Sequence, residues 1–171
     1  MERGELEREM EGLHAESWGW ALACCARRAG VAEDVLQSAY LRVLSGRARF
    51  NGGSTVRTWL FGVIRLVALE ETRRGARWRA RTASVLEASE IADPASSADL
   101  AVLGAEKDAV LKQALATLSP RQREVLQLVF YHDMTIEEAA SVMHVSIGSA
   151  RTHYTRGKEA LGRRLAGEDR P

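Results

Sequence analysis

The 171-residue chain is predicted to be all-α, two small helical modules joined by a flexible acidic linker. Three observations lead there. Ala, Leu, Arg and Glu dominate the composition, and strand signals are few. Apolar residues recur at helical spacing in two separate stretches. Between these stretches, from Thr82 to Leu118, six acids (Glu87, Glu90, Asp93, Asp99, Glu106, Asp108) stand against Lys107 and Lys112, with Pro94 among them. Such a segment buries little and reads as a tether. The expected boundaries are 1–81 for the first module, 82–99 for the linker and 100–168 for the second module. Val85–Ile91 could form a helical turn, and helix should resume over Leu100–Leu118. With 46% hydrophobic residues the chain can build a core.

Residues 5–29 read as one or two helices, with Leu6, Met10, Leu13, Trp18, Ala21, Leu22 and Cys25 apolar. Ala32–Leu44 is an amphipathic helix. Val35, Leu36, Ala39, Tyr40, Val43 and Leu44 lie on one side, and Glu33, Asp34, Gln37 and Arg42 on the other. Gly46, Gly52 and Gly53 mark a loop over Ser45–Thr55. A long helix then starts near Thr55 and runs to about Arg79. Its first part is apolar (Val56, Trp59, Leu60, Val63, Ile64, Val67) and its end basic (Arg73, Arg74, Arg77, Arg79, Arg81).

In the second module, Ser119 is placed to cap a helix with Pro120 at its first position. Val125, Leu126, Leu128 and Val129 have helical apolar spacing. Thr135 and Glu138 make a capping box ahead of the stripe Ile136, Ala139, Ala140, Met143. After a break at His144–Ser146, Ser146 can cap a last helix held by Ala150, Tyr154 and Leu161. Two short helices and a tight break form a helix-turn-helix, whose second helix enters a DNA major groove. No winged-helix form is expected. Arg151, Thr152, Thr155 and Arg156 share one helical face. From His144 to Leu165 there are five basic residues and one acid, Glu159. A charged face is often only a solvated one. The helix-turn-helix pattern favours a phosphate-tracking element instead.

Several function classes are disfavoured. The net charge of +1 does not itself point to nucleic acid; its distribution does. Cys24 and Cys25 are adjacent, which suits neither a disulfide framework nor a metal knuckle, and they read as small core residues. No stretch is apolar and long enough to span a membrane, and the polar N-terminus is no signal peptide, so a reducing cytoplasm is the expected compartment. His14, His132, His144 and His153 are scattered, with no triad, phosphate loop or metal-ligand spacing. Neither catalysis, a cofactor, a metal nor a small-molecule substrate is expected, and His132-Asp133 reads as a structural turn.

Phe50–Arg81 combines a loop of small polar residues, Trp59 and Phe61 on the next helix, and a basic tail. A cationic track beside surfaces that hold unstacked bases is what single-stranded nucleic acid needs. Trp59 reads mostly as core. Trp78, between Arg77 and Arg79, reads equally well as packing or as stacking.

Ala32-Glu-Asp-Val-Leu-Gln37, Phe50-Asn-Gly-Gly-Ser-Thr-Val-Arg-Thr-Trp-Leu60 and Ala68-Leu-Glu-Glu-Thr-Arg-Arg74 resemble region 2 of bacterial RNA polymerase sigma factors of the extracytoplasmic-function (ECF) group. Leu118-Ser-Pro-Arg-Gln-Arg-Glu-Val125 and Ile147-Gly-Ser-Ala-Arg151 resemble that group's region 4. The resemblance spans nearly the whole chain in the right order. It implies that the first module docks on the clamp helices of the polymerase largest subunit through Asp34, Gln37, Tyr40 and Leu41. The same module would recognise and melt the −10 element with Asn51, Gly52, Ser54, Thr55, Arg57, Arg73 and Arg74. The second module would read duplex −35 DNA with Ser149, Arg151, Thr152, Thr155, Arg156 and Lys158. Further implied partners are the polymerase flap and an anti-sigma factor, often membrane-bound, which could hold the chain at the inner membrane. The acidic linker would thread the RNA-exit path. Members often carry Asn where this chain has Leu66 and Asp where it has Glu70. Ala150 and His153-Tyr154 also depart from the group, which implies an unusual −35 preference. The second reading is a stand-alone helix-turn-helix regulator that binds duplex DNA without polymerase.

Overall fold

A computed structural model describes residues 3–82 and 114–166, and every regular element among them is helical. The expected linker, the turn at Val85–Ile91 and most of Leu100–Leu118 lie outside the described residues. Contacts divide the chain into two compact units, Met1–Ser96 and Ser97–Pro171.

The first unit holds α1 (Arg3–Gly12), α2 (His14–Cys24), α3 (Ala29–Leu44) and α4 (Val56–Thr82). Its centre is Trp20, not Trp18. Trp20 is buried and stacks on buried Phe61 with ring centroids 5.8 Å apart. Its indole N–H donates to the Phe61 carbonyl at 3.0 Å, so the buried ring keeps a polar partner. Ala32, Val35, Leu36, Ala39 and Val43 of α3 close on this pair, with Leu60, Ile64, Val67 and Ala68 of α4. Leu44, expected on the apolar side, is exposed. It ends α3 at the rim of a depression that it shares with Glu7, Met10 and Glu11 of α1. Cys25 is buried, and burial pushes its thiol up, as expected of a core residue rather than a reactive one.

Charged pairs fasten the unit's edges. Arg42 of α3 grips Glu70 of α4 with two guanidinium nitrogens. Arg57 of α4 reaches Glu16 of α2 at 2.8 Å and lies over the Phe61 ring. Between α2 and α3, Ala26 and Arg27 both adopt left-handed φ angles, 51° and 60°. That uncommon pair of non-glycine residues turns the chain within the four residues Cys25–Arg28.

The second unit holds α5 (Pro120–Phe130), α6 (Ile136–Met143) and α7 (Ile147–Ala166). Ser119 caps α5 as expected, in a full box with Gln122. Thr135 and Glu138 form the box that starts α6. Ser146 Oγ accepts the Ser149 N–H at 3.1 Å and starts α7. His144 ends α6 in the left-handed conformation (φ 53°), and its N–H returns to the Ala140 and Ser141 carbonyls. The His132-Asp133 turn is also present, with His132 buried and Asp133 left-handed. Arg123 donates to the carbonyls of Leu115, Ala116 and Leu118, which ties the chain ahead of α5 to that helix.

Helix α7 packs on α5 and α6 partly through residues with almost no side chain. Ala150 and Gly157 are its buried residues. A Cβ at position 157 would stand 3.1 Å from both Gln122 Cβ and Leu126 Cδ1. Gly157 is therefore a close approach of α7 to α5, and a branched side chain there forces Gln122 and Leu126 to shift. Gly157→Val should lower stability by about 1–3 kcal/mol. Urea denaturation followed by helical circular dichroism measures this. An unchanged midpoint would show that these two residues shift without cost.

Candidate nucleic-acid interface

The setting of α7 decides what it presents. Ala150 and Gly157 lie seven residues apart, two turns of helix, so they mark one side. Ser149, Arg151, Thr152, Thr155, Arg156 and Lys158 are all exposed and fan across the other side. The structure brings these six together, but their polar groups are not equally available. The Thr152 hydroxyl donates to the Gly148 carbonyl at 2.9 Å. The Ser149 and Ser146 hydroxyls share a hydrogen bond of 2.9 Å. Arg151 Nη2 lies 3.7 Å from Glu137 Oε1. Lys158 Nζ stands 6.0 Å from the Tyr154 ring centroid, and that ring stacks on Phe130. Phe130 and its neighbour Tyr131 are exposed aromatics that sequence reading did not single out.

In the first unit, Gly52 takes a positive φ of 79° and Asn51 Oδ1 accepts the Gly53 N–H at 3.0 Å. Asn51 thus builds the turn while staying exposed. Ser54 donates to the Thr55 carbonyl, and Thr55 Oγ1 accepts the Thr58 N–H at 3.1 Å, so these hydroxyls shape the loop and cap α4. Trp59 is only half-buried and packs against Phe50, ring centroids 5.3 Å apart, at the edge of this loop. Phe61 is fully buried and offers no surface to a base. Arg73 and Arg74 are exposed, Arg74 beside Glu71 at 3.2 Å, and Trp78 is exposed one turn further on. Arg57 is placed differently from the expectation. Its guanidinium is drawn inward to Glu16 and the Phe61 ring, because its position in the first turn of α4 faces α2.

On α3, Asp34, Gln37 and Leu41 share an exposed face, with Leu41 66% exposed. A depression of about 380 Å³ beside them is lined by Ser38, Leu41, Arg42, Ser45 and Arg47. Tyr40 leaves this group. It is half-buried, its hydroxyl lies 3.1 Å from His14 Nδ1, and burial pushes the phenol above its ordinary value. The helical period turns it toward α2, which the amphipathic pattern already implied.

Sigma-70 region 2 matches residues 13–79, and Sigma-70 region 4 matches residues 108–161. The RNA polymerase sigma factor CarQ of Myxococcus xanthus is 30% identical over 91% of this chain and 86% of its own. The chain belongs to the sigma-70 family, in its ECF group. The ECF RNA polymerase sigma factor SigC of Mycobacterium tuberculosis is 28% identical over 83% of this chain and 74% of its own. Among solved structures, the sigma factor RpoE in complex with the anti-sigma factor NepR from Bartonella quintana superposes with a TM-score of 0.71. It is 23% identical, covering 97% of this chain and 99% of that one, a likeness of fold. No described helix is long and apolar enough to cross a membrane.

The Arg42–Glu70 clasp is, like the Arg57–Glu16 pair, a charged contact of region 2 that sequence reading missed, since its two residues are 28 apart. Arg42 holds the Glu70 carboxyl below its ordinary value of 4.5. A depressed folded value stabilises fully above the unfolded value, and the gain is lost as pH falls through the folded one. Both side chains are substantially exposed, which limits the gain to less than about 1 kcal/mol. Glu70→Gln should therefore lower stability slightly at neutral pH, and the difference should vanish in acid. Paired urea curves at neutral pH and below the folded value check this. A difference that persists in acid would mean that the clasp is not electrostatic.

Proposed function

We propose that this sigma factor binds core RNA polymerase through the exposed face of α3 and directs it to promoters with two DNA elements. Asp34, Gln37 and Leu41 form the polymerase-binding patch, and Tyr40 supports it from behind. The loop around Asn51 and Gly52, shaped by Ser54 and Thr55, takes an unstacked base of the −10 element beside the Phe50–Trp59 edge. Arg73 and Arg74 follow the strand's phosphates. The outer face of α7 reads the −35 duplex in the major groove. One observation carries the reading: Arg151, Thr155 and Arg156 project from the side of α7 opposite Ala150 and Gly157, in a chain with both sigma regions. Arg57 is reassigned from DNA contact to holding α4 on α2.

An anti-sigma protein holds the chain inactive by covering apolar surface that polymerase would otherwise take. Leu41 and Leu44 on α3, and Phe130 and Tyr131 at the end of α5, are exposed enough to serve such a partner. The related RpoE crystallised with its anti-sigma factor supports this. The function is non-enzymatic, with the chemistry left to polymerase, and its place of action is the cytoplasm.

Transcription from a random promoter library by bacterial core polymerase, with and without this chain, tests the reading. Chain-dependent initiation at promoters that share −10 and −35 motifs is expected. Duplex binding by the chain alone, with no effect on polymerase, would instead mark a stand-alone regulator. In the same assay Arg156→Ala should cost about 1–3 kcal/mol in −35 recognition while polymerase binding persists. Asp34→Ala should weaken polymerase binding and leave −35 selectivity intact. Arg73→Ala should reduce the salt slope of single-strand binding by about 0.7, and Arg57→Ala should not change it. Equal loss of every activity in any of these variants would indicate misfolding.

A further inference from the structure

Two acids begin α6, and they do different things. Glu138 completes the capping box: its carboxylate accepts from the Thr135 N–H at 2.9 Å and from the Thr135 hydroxyl at 3.1 Å. Glu137 takes no part in the box. It is exposed, and its Oε1 lies 3.7 Å from Arg151 Nη2 on α7. The helix dipole favours an acid in the first turn, but it does not require that acid to face a cation on the next helix.

An ion pair between two exposed side chains adds little to stability. Its effect on orientation is larger. A lone surface arginine explores many rotamers and loses that freedom on binding. Guanine reading needs two parallel guanidinium donors aimed at the base edge. A carboxylate 3.7 Å from one side of the Arg151 head, beyond hydrogen-bond reach, draws the guanidinium by charge and biases its direction while leaving its five-donor fork to the base. The same carboxylate carries negative charge to the edge of a face that meets phosphates, which weakens binding to every sequence alike.

We infer that Glu137 is a specificity-determining positioning residue, which holds the Arg151 guanidinium for bidentate reading of one guanine in the −35 element. This rests on the reading of α7 as the −35 reader. Removing the Glu137 carboxylate should then move two quantities in opposite directions. Affinity for unrelated duplex should rise, and discrimination at a single base pair should fall. A merely structural role would produce neither selectively.

The test uses the full chain bound to core polymerase and a duplex library randomised through the −35 element. Relative affinities are measured for the wild type, Glu137→Gln, Glu137→Ala, Arg151→Ala and the Glu137→Ala/Arg151→Ala pair. Arg151→Ala should abolish preference at one guanine. Glu137→Ala should reduce preference at that same pair by about threefold to tenfold and at no other, while binding unrelated duplex more tightly. Glu137→Gln keeps an acceptor without the charge, and should keep part of the preference while gaining the affinity. The double variant should match Arg151→Ala at that pair, because the two residues act as one unit. Preference that is unchanged in Glu137→Ala, changed equally at every position, or lost additively with Arg151 would overturn the inference. A wild type with no −35 preference at all would instead defeat the assignment of α7 as reader.

Discussion

The contact of α7 with α5 at Gly157 governs the second unit. A helix can show DNA a cationic face only if its rotation about its own axis is fixed. Here that rotation is set by two positions with little or no side chain, Ala150 and Gly157, pressed against α5 and α6. Close approach through small residues leaves less slack than packing through long flexible ones. Everything outward of that line follows: Arg151, Thr155 and Arg156 point away from the module because positions 150 and 157 point into it. The tight turn at His144 and the cap at Ser146 fix where α7 starts, and hence which residues fall in its first two turns.

The local features of this fold were legible in the sequence. Ser119-Pro120, Thr135 with Glu138, and Ser146 each announce a helix start through residues no more than three apart, and each forms as read. Helix α3 was legible as an amphipathic stripe, although it starts at Ala29, three residues before the expected Ala32. The features that escaped depend on distant partners. Nothing near Trp20 distinguishes it from Trp18; the difference is that Phe61, 41 residues on, offers a ring and a carbonyl to one and not the other. Gly157 looks like an ordinary glycine in a polar helix until Leu126 is seen against it.

Arginine shows the same limit most clearly, because one residue type serves three ends. Arg42 and Arg57 are fasteners that close α3 and α2 onto α4. Arg123 caps open carbonyls ahead of α5. Arg73 and Arg156 stand exposed on helices that carry no core face at those positions. The resemblance to sigma region 2 groups Arg57 with the nucleic-acid contacts, and it adjoins the Asn51–Thr55 loop. Position along the chain is a poor guide here, since one residue of helix turns a side chain by about 100°. Exposure and partner geometry sort these cations, and a net charge of +1 conceals how unevenly they are placed.

The hydroxyls of the candidate sites call for the same discrimination. Ser149, Thr152, Ser54 and Thr55 all look like donors awaiting a nucleic-acid partner. In the folded chain each is already engaged: Ser149 with Ser146, Thr152 with the Gly148 carbonyl, Ser54 with the Thr55 carbonyl, and Thr55 with Thr58. A hydroxyl whose proton is given to the backbone retains acceptor capacity only. DNA phosphates and most of the guanine edge are themselves acceptors, so Thr152 meets them better as a methyl surface than as a donor. Hydrogen-bond donation on α7 therefore falls to Ser149, whose hydroxyl accepts from Ser146 and keeps its own proton, to Thr155, and to the cations Arg151, Arg156 and Lys158. Of these three cations, Arg151 alone has an acid from the preceding helix beside its head.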